Sequence, residues 1–193
     1  MKRLVLASTS PYRAALLERI GVSFEAVAHR ADESENGPVG ESIPDRARRL
    51  SLAKAQSVRS LYPEAFVIAS DQLVDLSGEA LGKPGDVEGA VAQLTRLAGR
   101  THRLSTAVTF IHPNGTVLEH VDEHRLTMRN LGGDAIRRYV ERDQPVDCAG
   151  SYKIEGAGIA LFSAVEGADH TAIVGMPLLT VVGWLTRAGF EIP

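Results

Sequence analysis

Cysteine is almost missing from this 193-residue chain, in which Cys148 stands alone. An internal disulfide framework is therefore excluded, no second thiol is present to build a thiolate zinc site, and a reducing, cytoplasmic setting is expected. With no histidine near it in sequence, Cys148 reads as a packing residue. An excess of one charge is missing too. The 21 Lys and Arg nearly balance the 24 Asp and Glu, leaving a net charge of −3. No overall field exists to hold a nucleic-acid polymer or an anionic membrane, so any anion site has to be local. No apolar run reaches membrane-spanning length. Met1-Lys2-Arg3 opens like a signal peptide, but the apolar run behind it breaks at Ser8, and none is expected. Repeats, low-complexity tracts and linkers are absent, so one domain over residues 1–193 is expected, or at most two lobes sharing a sheet. A histidine metal set is lacking as well. His120 and His124 lie on strand-like sequence, where four residues span about 13 Å, and with His102 and His112 they read as surface or pairing residues. Neither a Walker loop nor a Rossmann fingerprint occurs.

What is present starts at Leu4-Val5-Leu6-Ala7-Ser8-Thr9-Ser10-Pro11-Tyr12-Arg13. The apolar run predicts a strand. The proline predicts the first turn of a helix, since its missing N–H is one the helix could not pair. Ser10 is the expected N-cap. Free N–H groups, the hydroxyls of Ser8 and Thr9 and the guanidinium of Arg13 would then converge where a phosphate or carboxylate is favoured. An apolar segment followed by a capped helix is also an ordinary start of an α/β domain, so the rest of the chain has to decide.

Ala14, Leu16, Leu17 and Ile20 continue that helix to Gly21, and Val22 to Ala28 alternates as a second strand. The acidic loop Arg30 to Pro38 follows, where Asp32 or Glu33 could hold a divalent metal between carboxylate and phosphate oxygens. Ser42 to Tyr62 predicts a long helix carrying Lys54. Phe66-Val67-Ile68-Ala69 is a short apolar run suited to a buried strand ending at Ser70-Asp71-Gln72. A carboxylate there could ligate a metal, take a proton from water, or simply cap a turn. Leu73-Val74 continues the strand, a hairpin turns at Gly78, and Gly82-Lys83-Pro84 presents a lysine on a stiff turn. Asp86 to Ala98 predicts a helix, His102 to Ile111 and Thr116 to Met128 two strands joined at Pro113-Asn114-Gly115, and Leu131 to Arg142 another helix. The glycine-rich stretch Pro145 to Gly158 precedes a strand over Ile159 to Val165, a turn at Gly167 to His170 and a last helix whose packing face includes Trp184.

Taken in order, Leu6-Ala-Ser-Thr-Ser-Pro-Tyr-Arg13, Asp32-Glu33, Lys54-Ala55, Ser70-Asp71-Gln72, Gly82-Lys83-Pro84, Cys148-Ala-Gly-Ser-Tyr-Lys-Ile-Glu-Gly156 and Val174-Gly-Met-Pro-Leu178 resemble the Maf-like nucleoside triphosphate pyrophosphatases over nearly the whole chain. The resemblance implies an α/β fold with an elongated mixed sheet flanked by helices, two lobes and a central cleft, in an enzyme that is often a homodimer. It implies cleavage of a nucleoside triphosphate between the α- and β-phosphates with a divalent cation such as Mg, Mn or Co. Asp71 would be the proton acceptor and Glu33 the metal holder. Ser8, Ser10, Arg13, Lys54, Lys83 and Lys153 would meet the phosphates. Tyr12, Gln72 and Glu155 match the 7-methyl-GTP pyrophosphatase branch, although that branch often has tryptophan where Tyr12 stands. The dTTP/UTP branch usually has arginine, threonine and glutamine at these three places. Other pyrophosphatases of modified nucleotides, an inosine triphosphate pyrophosphatase and a non-hydrolytic nucleotide-binding regulator of cell division remain alternative readings.

Overall fold

The opening apolar run forms β1 (Leu4–Leu6), fully buried, and α1 (Pro11–Arg19) follows, in a computed structural model that describes residues 2–33 and 37–192. Then come β2 (Glu25–Ala26), α2 (Ile43–Arg59), β3 (Phe66–Leu76), β4 (Glu79–Leu81), α3 (Val87–Leu97), β5 (Thr101–Ile111), β6 (Val117–Met128), α4 (Gly133–Asp143), 3-10 turns at Ala149–Ser151 and Ala157–Leu161, β7 (Phe162–Glu166), α5 (His170–Val174) and α6 (Leu178–Arg187). The seven strands make one sheet in the order β2-β1-β3-β5-β6-β7, with β4 added alongside β3. β1 runs parallel to β2 and β3, whereas β3 with β4 and β6 with β7 are antiparallel. The sheet is mixed, as the resemblance implies. Among the described residues no helix is long and apolar enough to cross a membrane.

The chain forms two compact units, and β3, β5 and β6 each begin in one and end in the other. The first contains residues 1–71, 106–122 and 169–193. Around β1 and the start of β3 the sheet is covered on both faces, which is why these segments read as unbroken apolar runs rather than as alternation. Leu4, Leu6, Ile68, Val108 and Phe110 join Leu17, Met176, Val181, Trp184 and Leu185 of the α1 and α6 side in one cluster. Val5, Val67, Ala69 and Ile111, the alternate positions of the same strands, pack with Ala55 and Val58 of α2 in another. The second unit contains residues 72–105 and 123–168. There α3 packs on α4, burying Ala90, Leu94 and Leu97 from one helix and Ile136, Tyr139 and Val140 from the other.

Four local expectations are corrected. The second strand is only Glu25–Ala26 and both residues are exposed, because a sheet edge pairs just these two with β1. β3 does not end at Ser70-Asp71-Gln72 but runs through it, so Asp71 is a mid-strand residue and not a strand-end one. Gly167 to His170 leads into the short helix α5, capped by Asp169, whose carboxylate accepts from the Thr171 N–H. Ile159 to Leu161 belongs to a 3-10 turn, and β7 starts only at Phe162. Of the histidines read as surface or pairing residues, His102 and His124 are buried, and His102 is paired, its Nε2 3.1 Å from Tyr152 Oη. Of the acidic loop, Ser34, Glu35 and Asn36 lie outside the described residues.

Candidate active site

In the first unit the head of α1 is organised by Ser8. Its buried Oγ accepts from the Ser10 N–H at 3.1 Å and from Arg13 Nη1 at 3.3 Å. Ser10 holds the N-cap position in extended backbone but makes no side-chain cap, so the local acceptor is Ser8 and not Ser10. Thr9 is exposed. Arg13 Nε donates at 3.2 Å to the Gly175 carbonyl, which also accepts from Ser70 Oγ at 2.7 Å. One carbonyl thereby aims both the arginine and the strand residue before Asp71. Gly175 has φ +133°, a conformation that favours glycine. Burial pulls the Arg13 pKa down, opposed by the nearby carboxylates of Asp71 and Glu33.

Lys54 is buried on α2, although most helical lysines are at the surface. Its position explains this: Ala47, Leu50, Ser51, Lys54, Ala55 and Val58 form the buried stripe at helical spacing, so Lys54 faces the sheet. Its Nζ lies 2.6 Å from Asp71 Oδ1 and 3.3 Å from Glu33 Oε2. The structure thus joins Lys54, Asp71 and Glu33 around one ammonium. Asp71 is mid-strand yet unpaired with two neighbours: β1 follows β3 only to Ile68, and β4 pairs it only from Val74. Asp71 Oδ2 is buried and has no hydrogen-bond partner among the described residues. Such an oxygen, uncompensated on one side and charge-paired on the other, is a ready acceptor of a proton or a cation.

Glu33 is half-exposed and its other oxygen, Oε1, lies 3.0 Å from His29 Nε2. Burial and the positive charges of Lys54 and Arg13 lower the His29 pKa against the pull of Glu33 and Asp71. The imidazole is accordingly neutral near pH 7, and with no partner on Nδ1 among the described residues its proton belongs on Nε2, donated to Glu33. Sequence reading missed His29. Its only signal is its place four residues before Glu33 in a polar loop, which distinguishes nothing. The Gly175 carbonyl was missed also, because a backbone group has no sequence mark beyond the motif it sits in. Asp32 is exposed. Among the described residues no three His, Cys, Asp or Glu side chains gather as a full metal shell.

The second unit holds Gln72, Lys83, Lys153 and Glu155. Gln72 is half-buried, next to Asp71 in β3, where successive side chains leave by opposite faces. Lys83 is exposed on the turn before α3. The backbone of Lys153 is fixed from several sides: its N–H donates to Tyr139 Oη at 2.9 Å, and its carbonyl accepts from the N–H groups of Gly156 at 3.1 Å and Gly158 at 3.0 Å. A Cβ on Gly158 would stand 2.3 Å from that carbonyl oxygen, so the turn requires glycine. Lys153 Nζ is 3.6 Å from Asp147, and Glu155 is exposed. Tyr152 turns into the core of the unit, its hydroxyl 3.1 Å from His102 Nε2. Cys148 is half-buried, its Sγ 3.5 Å from Asp147 Oδ1. Tyr12, the third base-side residue expected from the sequence, is half-buried in the first turn of α1, in the first unit.

Comparison with known proteins bears on the whole chain. A family model described as Maf-like protein matches residues 3–188. A protein of Xanthomonas campestris pv. campestris (strain 8004) named 7-methyl-GTP pyrophosphatase is 46% identical over 193 residues, covering all of both chains. One of the same name from Pseudomonas aeruginosa is 41% identical over 194 residues, again covering all of both. Among solved structures, the Staphylococcus aureus Ham1 protein superimposes with a TM-score of 0.55 at 16% identity, covering 97% of this chain and 100% of that one, a likeness of fold. With a family model along nearly its full length and end-to-end relatives above 40% identity, the chain belongs to the Maf-like protein family.

Proposed function

We propose that the chain is a nucleotide pyrophosphatase that hydrolyses 7-methyl-GTP to 7-methyl-GMP and pyrophosphate. The observation that carries the chemistry is Asp71, with one oxygen on Lys54 and the other buried and unpartnered. Water attacks the α-phosphorus and loses its proton to Asp71 Oδ2, while the bond from that phosphorus to the α–β bridging oxygen breaks and pyrophosphate leaves. Lys54 compensates the Asp71 charge and, with Arg13 aimed by Ser8 and Gly175, faces the negative charge that grows on phosphate oxygens. Ser8 and Ser10 add hydroxyl or backbone contacts at the head of α1. Lys83 and Lys153 supply further cations for the leaving pyrophosphate.

Glu33 suits a divalent cation of the Mg, Mn or Co type. Its carboxylate oxygens are hard donors at the Lys54–Asp71 cluster, and such ions take few protein ligands and complete their shell with water and phosphate oxygens. When bound, the ion supplies Lewis-acid polarisation of the phosphate.

The substrate reading is supported by the names of relatives that match end to end. Methylation at N7 leaves guanine cationic, and an electron-rich ring such as Tyr12 stacks on it, a contact worth about 0.5–2 kcal/mol. The Glu155 carboxylate accepts from guanine's N1–H and amino group, an adjacent donor pair that uracil and thymine lack. Gln72 donates to O6 or to the ribose. Purified protein given 7-methyl-GTP, GTP, UTP and dTTP with a divalent cation should release pyrophosphate with kcat/KM highest for 7-methyl-GTP, then GTP, then the pyrimidines. Tyr12→Ala should narrow the methylated-over-unmethylated gap, and Glu155→Gln should erode guanine preference. Preference for UTP or dTTP would overturn the substrate reading, and pyrophosphate release from no nucleotide would overturn the enzyme reading.

A further inference from the structure

Gln93, on α3 of the second unit, has no part in the chemistry above, yet its side-chain amide joins the two loops that carry Lys83, Lys153 and Glu155. Its Nε2 donates to the Gly82 carbonyl at 2.9 Å, and its Oε1 accepts from Ser151 Oγ at 2.7 Å. Gly82 immediately precedes Lys83; Ser151 is two residues before Lys153 and four before Glu155. A carbonyl only accepts, which fixes the amide's orientation and leaves its oxygen for the serine. The same two loops meet once more through the backbone, where the Gly85 N–H donates to the Val146 carbonyl at 3.1 Å.

The Ser151 end of the bridge is strained. Ser151 has φ +61° and follows Gly150 at φ +76°, so two successive residues are left-handed and one of them is not glycine. Such a conformation persists only where surrounding contacts over-determine it. Ser151 is fully buried, with its N–H on the Cys148 carbonyl at 3.1 Å and its hydroxyl on Gln93. A Cβ on Gly150 would lie 2.7 Å from the Tyr152 ring and 2.9 Å from Val74, so that position admits glycine alone.

We propose that Gln93 is a positioning residue that fixes the Lys83 turn against the Lys153–Glu155 segment, so that phosphate binding and base selection are set by one side chain. The inference rests on the proposed function for the roles of Lys83, Lys153 and Glu155. Gln93→Met keeps length and volume without either hydrogen bond. Ser151→Ala removes one arm only, and Gln93→Glu keeps the acceptor for Ser151 while setting a carboxylate against the Gly82 carbonyl.

The test uses the full chain with a divalent cation. Gln93→Met should raise KM for the preferred nucleotide about tenfold, the scale of a lost hydrogen bond of ordinary net strength. It should shrink the ratio of kcat/KM between the preferred nucleotide and UTP by a similar factor, and weaken inorganic pyrophosphate binding in calorimetry. Turnover should stay within about threefold, the pattern of lost binding interactions rather than lost chemistry. Ser151→Ala should fall between wild type and Gln93→Met, and Gln93→Glu, whose carboxylate repels the Gly82 carbonyl, should lose at least as much as Gln93→Met. A purely structural role would lower the melting temperature and leave the nucleotide ratio and pyrophosphate affinity unmoved, and that result overturns the inference. Should Gln93→Met fail to fold, Ser151→Ala decides by the same two readouts. A wild-type protein that prefers UTP overturns the substrate reading alone, since pyrophosphate affinity in the variants still judges Gln93.

Discussion

Lys54 and Asp71 form a buried ion pair, each side chain under a tenth exposed, and the pair is what makes an acidic side chain tolerable in the middle of β3. Removing one member of such a pair strands the other, at a cost of about 3–5 kcal/mol. Lys54→Met should therefore destabilise strongly in urea unfolding, and Lys54→Met combined with Asp71→Asn should recover part of the loss, because the stranded charge is gone. Additive losses in the double variant would show that the two groups are not coupled. For the reaction, Asp71→Asn, in which Lys54 keeps Glu33 as a charged partner, should keep the fold and nucleotide binding and lower turnover by about two to four orders of magnitude, the range for loss of a general base. A folded variant with more than about a tenth of the wild-type rate at saturating substrate, a loss far short of that range, would remove Asp71 from the role of proton acceptor.

The α5–α6 connection acts as a positioning element. Asp169 caps α5 and its second oxygen accepts from the Leu179 N–H at 2.7 Å, while Thr171 Oγ1 accepts from the Leu178 N–H at 2.8 Å. Both starts of helix are thus locked across the Gly175 turn, whose carbonyl then has a fixed direction toward Arg13 and Ser70. Alanine fits sterically, since the nearest atoms to a Cβ there are 3.5 Å away, but φ +133° remains unfavourable for it. Gly175→Ala should cost about 1–3 kcal/mol of stability through backbone strain. If the carbonyl swings to relieve that strain, Arg13 loses its partner and KM rises with it. Thermal unfolding together with steady-state kinetics measures both, and unchanged stability would mean that the turn tolerates a side chain.

At the scale of the molecule, acid stability turns on a buried group with no part in the proposed chemistry. Burial lowers the His102 pKa from 6.5 to about 4, with Nε2 beside Tyr152 Oη and Nδ1 unpartnered. The unfolded chain therefore binds a proton between these two values that the folded chain refuses. The contribution of His102 to stability is fully present above pH 6.5 and is lost as pH falls toward about 4, by at most about 3 kcal/mol. Unfolding free energy followed from pH 7.5 to 4 should fall less steeply in His102→Phe than in the wild type. Parallel curves would place the acid sensitivity elsewhere.

The sequence by itself determined the elements that depend on consecutive residues: the buried run of β1, the proline-started α1, the long helix α2 though not the burial of Lys54 on it, the hairpin at Asn114-Gly115, and the packing face of Trp184. These follow from periodicity and turn chemistry, which are local. Only the tertiary structure decided that β3 passes through Asp71 without a break: β1 leaves it at Ile68 and β4 joins it only at Val74, so its continuity rests on its other neighbour in the sheet, β5. It also decided that Glu33, Lys54 and Asp71 share one charge cluster with His29 beside it, and that Gly175 aims Arg13 across 162 positions of sequence. Contacts of this kind are chosen by which faces and strand edges neighbouring elements leave open, and no window of adjacent residues contains that information.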